Sequence, residues 1–302
     1  MPATGPIFLT GVNGQVGHEL QQTLAPLGSV VSLTRSQLDL ADSDAIRRVI
    51  REIKPAVIVN PAAYTAVDKA ESEPELAFAI NAAAPAVMAE EAAHLNALFI
   101  HYSTDYVFDG SKTMPYGEQD ATNPLGVYGQ SKLAGEEAIR AVGANHLILR
   151  TSWVYGATGR NFLRTIIRLA QERDELEVVA DQLGGPTSSR AVANATAVML
   201  ENWQQEKSGT YHLTCAGETS WHGFAQAILR FYEAHRAARG WPPLKVQADA
   251  LHAITTAEYP TPAARPAYSV LNNAKVLMSF GISMPLWSEA LSSVIRELKL
   301  EP

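Results

Sequence analysis

The sequence predicts an α/β fold in which a doubly wound, parallel Rossmann sheet carries helices on both faces and a smaller, interleaved C-terminal lobe binds the substrate. Short apolar segments alternate with helical segments through the first half of the chain, and a glycine-rich turn follows the first apolar segment. The 302 residues also exceed the ~150 of a typical domain. We expect the sheet domain at about residues 1–150 and 188–215, and the substrate lobe at about 151–187 and 216–302.

Each predicted element follows from local patterning. Residues 6–12 are apolar without a helical period, which predicts a buried strand, and residues 42–44 offer an N-cap for the second helix. After about residue 151 loops rich in glycine and proline loosen the alternation. The predicted strands are 6–12, 29–34, 55–60, 97–103, 146–151 and 210–213, and the predicted helices are 15–27, 42–53, 75–96, 131–142 and 191–204.

Composition limits the class of protein. Apolar residue types make up 47% of the chain and charged types 18%, a balance that supports a buried core. The net charge of −7, without a run of Lys or Arg, argues against nucleic acid as a partner. The single Cys215 cannot form an intramolecular disulfide, and no signal peptide or membrane-spanning segment is visible, so we expect a cytoplasmic protein. No zinc-binding spacing of Cys or His is present in the sequence.

A glycine-rich loop lies between the first predicted strand and the first predicted helix. It is formed by Gly11, Val12, Asn13, Gly14, Gln15, Val16 and Gly17. Glycines in this position allow the backbone to approach a pyrophosphate, and the helix N-terminus supplies N–H groups and a partial positive charge. An ordinary glycine turn could match the bare pattern, but the strand–turn–helix context favours a dinucleotide.

The end of the second predicted strand indicates which dinucleotide is bound. A carboxylate there would accept hydrogen bonds from the ribose 2′-hydroxyl of NAD, whereas this chain has Thr34 and Arg35, and an arginine accommodates a 2′-phosphate. We therefore predict NADPH as the preferred cofactor, with NADH possible. The alternative is that Arg35 is only a solvated surface residue. Asp39 and Leu40 could flank the adenine ring, although Asp39 also suits a turn.

Tyr128 and Lys132 are the candidate reaction centre. Four residues apart, they share one face if the segment is helical. A nearby ammonium would stabilise the phenolate and lower the pKa of Tyr128 from its ordinary ~10, which makes the phenol a better proton donor to a developing alkoxide. Thr104 and Asp105 follow a predicted strand at the sheet edge where ligands bind. The Thr104 hydroxyl could contact a substrate carbonyl or the phenol, or simply close the strand in a turn.

Seven stretches carry a wider resemblance: GVNGQVG at 11–17, NPAAYTAVDKAE at 60–71, HYSTDYVF at 101–108, VYGQSKLAGE at 127–136, RTSWVY at 150–155, DQLGGPT at 181–187 and YPTPAARP at 259–266. Together they resemble the dTDP-4-dehydrorhamnose reductase family of extended short-chain dehydrogenases/reductases. The resemblance implies hydride transfer from NAD(P)H to the C4 keto group of dTDP-4-dehydro-L-rhamnose, the last step of dTDP-L-rhamnose synthesis.

The same resemblance implies residue roles. Tyr128 would donate the proton, Lys132 would bind the nicotinamide ribose and tune the phenol, and Thr104 would lie beside the carbonyl. The remaining residues are implied as cofactor contacts (Ala62, Ala63, Tyr64, Thr65 and Tyr102) or substrate contacts (Asp105, Trp153 and Arg265). Arg265 also has a physical basis, because a guanidinium matches diphosphate oxygens bidentately. Trp153 could instead be a packed core aromatic.

One departure from the family concerns a metal. Members of the family have been described with Mg²⁺ held by glutamates at a dimer contact. Glu19 matches one of those glutamates, but Arg190 stands where a second carboxylate would be. A cation opposes a divalent metal, so we predict no metal here and expect a monomer or a weak homodimer.

Two other functions compete with this interpretation. A sugar-nucleotide dehydratase of the same superfamily needs a second carboxylate, typically in Thr-Asp-Glu, where this chain has Thr104, Asp105 and Tyr106. A non-catalytic NADP-binding regulatory subunit is the other alternative. Intact Thr104, Tyr128 and Lys132 argue against it, because a binding module has no need of a tuned phenol.

Overall fold

Twelve strands lie within residues 5–299, the part of the chain that the computed structural model describes. In chain order they are β1 (Ile7–Leu9), β2 (Val30–Ser32), β3 (Val57–Asn60), β4 (Leu98–Thr104), β5 (His146–Thr151), β6 (Val154–Tyr155), β7 (Glu177–Val179), β8 (Leu183–Gly184), β9 (Thr187–Ser188), β10 (Gly209–His212), β11 (Thr219–Ser220) and β12 (His252–Ile254). Six of them form one parallel sheet in the order β10-β5-β4-β3-β1-β2. The six strands predicted from the sequence are these six, so the doubly wound sheet is confirmed.

The helices of the same described residues follow in chain order: α1 (Gln15–Leu24), α2 (Ser43–Ile53), α3 (Val67–Ala70), α4 (Pro74–Phe78), α5 (Ala84–Leu95), α6 (Val127–Val142), α7 (Phe162–Glu172), α8 (Ser189–Glu201), α9 (Trp221–Arg239), α10 (Ala274–Phe280) and α11 (Trp287–Glu297). Asp42 caps α2 as predicted, with its side chain accepting from the Ala45 N–H. The predicted helix at 131–142 begins earlier, at Val127, which brings Tyr128 onto α6.

The prediction of one continuous helix at 75–96 is wrong in one respect, because the observed helix is interrupted. A π-helical turn at Ala79–Ala83 separates α4 from α5. Within it, the buried Asn81 side chain accepts from the Tyr64 N–H at 2.8 Å and donates to Ser131 Oγ at 3.0 Å. The π-turn therefore connects the loop after β3 to α6, a tertiary contact that alanine-rich propensity does not reveal.

Alternate side chains of the central strands enter two separate cores. Ile7 and Leu9 pack in one cluster, beneath α1 and α8, whereas Phe8 packs in the other, beneath α2 and α5. A strand buried on both faces needs a continuous apolar run, which explains why the sheet strands lack an alternating pattern. The two faces are thus both covered.

A third cluster lies in the lobe. It is built largely from α7, α9 and α11, with Ile167, Phe224 and Leu291 at its centre. The predicted boundaries placed α10 in this lobe, but Val276 and Phe280 of α10 belong to the sheet core. The interleaving is therefore finer than predicted, and the domain boundaries stay a prediction. Among residues 5–299, no helix has the length and apolar character needed to cross a membrane.

Candidate active site

A cavity of about 640 Å³ opens outside the carboxyl ends of β1, β3, β4 and β5. Strand order reverses between β1 and β3, and open α/β sheets bind ligands at such a switch point. The predicted site residues that line this cavity are Gly11, Asn13, Gly14, Gln15, Val16, Gly17, Ala62, Ala63, Thr65, Tyr102, Thr104, Asp105, Tyr128, Lys132 and Trp153. Residues proposed for cofactor, proton donor and substrate therefore share one space.

A smaller cavity of about 110 Å³ adjoins the first, since Gly11, Ala62 and Ala63 line both. Its other walls include Thr34, Arg35, Asp39 and Leu40. The end of β2 thus lies beside the glycine-rich loop, as it must if both contact one dinucleotide.

Two predicted residues lie outside both cavities. The Tyr64 hydroxyl donates to Glu73 Oε2 at 2.7 Å, and Arg265 forms an ion pair with Asp68, with Nη2 and Oδ2 2.9 Å apart. Each of the two side chains is thus engaged by a carboxylate. The implied cofactor contact of Tyr64 and the implied substrate contact of Arg265 stay predictions.

The conformation of the glycine-rich loop requires its glycines. Gly11 has a left-handed φ of 60°, and a methyl group on Gly17 would lie 2.1 Å from the Gly11 carbonyl oxygen. The loop leads into α1, whose N-cap residue Gly14 makes no side-chain cap. The N–H groups of the first helical turn are therefore left for an anion, and this arrangement fits a dinucleotide pyrophosphate.

Tyr128 and Lys132 lie on successive turns of α6. The start of this helix is fixed by Glu71, whose carboxylate accepts from the Val127 N–H at 2.8 Å. The Tyr128 ring packs edge-on against Tyr106, with centroids 5.6 Å apart. Burial raises the pKa of Tyr128 to about 12, while the Thr104 hydroxyl acts in the opposite direction.

The predicted lowering of the Tyr128 pKa by Lys132 is wrong in this structure. The Lys132 ammonium donates to the Tyr102 carbonyl at 2.6 Å and lies 3.1 Å from His101 Nε2, so it is engaged away from the phenol. Burial lowers the pKa of Lys132 itself to about 8, against the attraction of Glu136. Desolvation, rather than a neighbouring charge, is therefore the main cause of the pKa shifts of both Tyr128 and Lys132.

Thr104 ends β4 and has two roles in the geometry. Its oxygen accepts from the Tyr106 N–H at 3.2 Å, which is the strand-closing turn left open as an alternative, and its hydroxyl donates to Asp105 Oδ1 at 3.0 Å. The same hydroxyl lines the cavity. Asp105 is buried, and burial raises the pKa of its carboxyl group to about 6.

Aromatic rings form the side of the cavity nearest the lobe. Trp153 has a left-handed φ of 44° and stacks on Trp221, with ring centroids 3.5 Å apart and planes 8° apart. Gly184 makes room for it, since a methyl group there would lie 2.4 Å from the Trp153 ring. Sequence reasoning missed Trp221 and the cavity-lining Arg160, because neither lies in a recognisable local pattern.

The residues near Glu19 do not fit a divalent metal. Arg190 forms an ion pair with Glu19 and a second one with Glu297, whose Oε2 lies 3.2 Å from Nη2. The guanidinium thus bridges the two carboxylates, offsets one of their two charges and places a cation where a metal ion would lie. Within residues 5–299 no group of three or more His, Cys, Asp or Glu side chains is placed to hold a metal ion.

The sheet, the phosphate loop at its switch point and the Tyr–Lys pair one helical turn apart define an extended short-chain dehydrogenase/reductase. Residues 5–300 match the protein family described as RmlD substrate binding domain. The dTDP-4-dehydrorhamnose reductase of Burkholderia thailandensis is 48% identical over 298 residues, covering 97% of this chain and 98% of the relative. The chain belongs to the dTDP-4-dehydrorhamnose reductase family.

Two further relatives agree. The dTDP-4-dehydrorhamnose reductase of Escherichia coli K12 is 44% identical, with 97% of each chain covered. The crystal structure of the Bacillus anthracis dTDP-4-dehydrorhamnose reductase in complex with NADP is 34% identical and has a TM-score of 0.89, covering 98% of this chain and all (100%) of that one. The similarity therefore extends over both the sheet and the lobe.

Proposed function

We propose that this chain reduces the C4 keto group of dTDP-4-dehydro-L-rhamnose to give dTDP-L-rhamnose, with NADPH as the preferred cofactor. The observation that carries the proposal is the common cavity of Thr104, Tyr128, Lys132 and the glycine-rich loop. A proton donor and a dinucleotide cradle thus face the same space, which is what reduction of a ketone requires. Relatives that are 44% to 48% identical bear the name of this reductase.

On the cofactor side, the residues suit a phosphorylated dinucleotide. The uncapped start of α1 offers N–H groups and the positive end of the helix dipole to a pyrophosphate. Arg35 and Thr34 border the small cavity and would hold a 2′-phosphate through charge and a hydroxyl group. When bound, NADPH supplies the hydride.

Tyr128 is proposed as the proton donor to the carbonyl oxygen. With a pKa raised to about 12, the phenol is protonated at neutral pH, and it is still a stronger acid than the alcohol formed from a ketone. Proton transfer toward the developing alkoxide is therefore favourable. The Thr104 hydroxyl would hydrogen-bond the same carbonyl. Lys132, whose ammonium is turned away from the phenol, would bind the nicotinamide ribose at the cavity floor.

On the substrate side, the Trp153–Trp221 stack offers a flat apolar surface to the sugar or the base. Arg160 lines the same cavity and is the candidate for the substrate diphosphate, since Arg265 would first have to leave Asp68. Neither a cytoplasmic location nor a state of monomer or weak homodimer follows from this geometry, and both stay predictions.

The test is NADPH oxidation at 340 nm with dTDP-4-dehydro-L-rhamnose, with a UDP-linked analogue as the comparison. We expect turnover with the dTDP sugar and much less with the UDP sugar. Tight NADPH binding without turnover would instead indicate a regulatory subunit. Release of water from a dTDP-glucose-type ketosugar would indicate a dehydratase.

A further inference from the structure

A line of four buried polar side chains lies beneath the cavity floor. Lys132 Nζ is 3.1 Å from His101 Nε2, and His101 Nδ1 is 3.2 Å from Asn60 Nδ2. The other terminal atom of that amide lies 2.6 Å from Thr10 Oγ1. Each of the four residues exposes 2% of its surface or less. Polar groups this deeply buried are costly unless they are fully hydrogen-bonded, so the line must have a consistent set of donors and acceptors.

The positive charge of Lys132 determines which groups in this line donate hydrogen bonds and which accept them. An ammonium has only donors, so His101 Nε2 must accept from it. A neutral imidazole then carries its proton on Nδ1 and needs an acceptor there. The Asn60 amide provides one when it is turned by 180° from the orientation in the structure, so that Oδ1 faces His101 and Nδ2 donates to Thr10 Oγ1. Burial and the adjacent Lys132 ammonium hold the pKa of His101 well below its ordinary value, which keeps the ring neutral.

The charged groups around Lys132 leave His101 as its main side-chain acceptor. On the same helix, Glu136 is fully buried but pairs with Arg150 of β5, with Oε2 and Nη2 2.6 Å apart, and accepts from Ser103 Oγ of β4. Its attraction still favours the charged form of Lys132, but its hydrogen bonds go to Arg150 and Ser103.

The remaining titratable groups near Lys132 are Tyr128, one helical turn earlier on α6, and Asp105, which directly follows β4. The Tyr128 phenol is protonated at neutral pH, and the Asp105 carboxylate accepts a hydrogen bond from the Thr104 hydroxyl. Direct contacts to the ammonium thus come from His101 and the Tyr102 carbonyl.

We propose that His101 is a positioning residue for the reduction: held by Asn60 as the neutral tautomer with the proton on Nδ1, it fixes the Lys132 ammonium at the cavity floor. This inference rests on the proposed function, because Lys132 is the proposed contact of the nicotinamide ribose in that site. His101 touches neither substrate nor cofactor. It acts through the position and the protonation of Lys132.

The first test compares pH profiles of kcat/KM. Because the pKa of Lys132 lies at about 8, activity should fall as the pH rises through that value. His101→Leu removes the acceptor from the buried ammonium and disfavours its charged form. The basic limb should move about one pH unit lower, so kcat/KM near pH 7.5 should fall about threefold. His101→Gln can present an amide oxygen to Lys132. This variant should regain most of the lost activity, and its basic limb should lie close to that of the wild type.

A matched control is His146→Leu. His146 begins β5, at the opposite end of the sheet from the cavity, and contacts the Ala144 carbonyl and Ser208 rather than Lys132. Its loss should lower thermal stability without moving the basic limb. An unchanged limb in a folded, NADPH-binding His101→Leu protein would overturn the proposal.

The second test needs no variant. In the wild-type protein saturated with NADP⁺ and labelled with ¹⁵N-histidine, the two ring nitrogens of His101 should show a neutral ring protonated on Nδ1 at pH 7. A ring protonated on Nε2 would exclude acceptance from the ammonium and refute the proposal even if His101→Leu does not fold. Absence of ketosugar turnover in the wild type would refute the proposed function alone, since the tautomer is measured independently.

Discussion

The two walls of the cavity are built differently. The sheet-side wall consists of the Gly11–Gly17 loop, Tyr128 and Lys132, which come from one turn and one helix end. The lobe-side wall consists of Trp153 and Trp221, with Gly184 against the Trp153 ring, and these contacts join positions far apart in the chain. We infer that the sheet-side wall serves the chemistry and the cofactor, and that the lobe-side wall serves recognition of the sugar nucleotide. Variants in one wall should then change kcat or cofactor affinity, and variants in the other should change the KM of the ketosugar.

The largest effect is expected for Tyr128→Phe. The substitution removes the donor hydroxyl and little volume, so kcat should fall by ~10²-fold or more while NADPH affinity stays nearly constant. Stopped-flow NADPH oxidation and fluorescence titration of NADPH measure the two quantities. A variant that keeps more than about a tenth of the wild-type kcat would show that another group donates the proton.

Gly17→Ala should weaken NADPH binding by ~30-fold, because the new methyl group displaces the backbone carbonyl of Gly11 and distorts the phosphate loop. Gly28→Ala is the matched control, since a methyl group at Gly28 makes only ordinary contacts with Ile7, at 3.7 Å or more. Isothermal titration calorimetry with NADPH measures the affinities of the two variants and of the wild type. Equal affinities would remove the loop from the cofactor site.

The two walls of the cavity also differ in how far the sequence predicts them. The sheet strands, the loop and the Tyr128–Lys132 spacing are local patterns, so they could be predicted. The Trp153–Trp221 stack, the π-turn around Asn81 and the engagement of Lys132 by His101 depend on contacts made only after folding. The predicted fall in the Tyr128 pKa failed for the same reason, since burial and side-chain direction are tertiary properties.

On the lobe-side wall, Trp221→Ala should raise the KM of the ketosugar about tenfold, because Trp153 loses the ring that holds it in its left-handed conformation. NADPH affinity should change little. Trp203→Ala is the control, since Trp203 packs against the sheet core instead. A loss of kcat without a change in KM would contradict the division between the two walls.

The smallest effect is expected for Arg35→Ala. Loss of this exposed cation should weaken NADPH about fivefold and leave NADH affinity almost unchanged, because only NADPH carries the 2′-phosphate. Arg48→Ala, an exposed arginine on α2, provides the control for net charge. Equal losses for both cofactors would make Arg35 a solvated surface residue, the alternative left open by the sequence.

Proton donation from the Tyr128 phenol to the oxygen of the ketone that is being reduced underlies the proposed function. A crystal structure with NADP⁺ and dTDP-L-rhamnose bound together tests it most directly. We expect the Tyr128 hydroxyl within about 2.6–3.2 Å of the C4 oxygen, with the Thr104 hydroxyl hydrogen-bonded to the same atom. A C4 oxygen out of reach of Tyr128, with another acidic group beside it, would contradict the account.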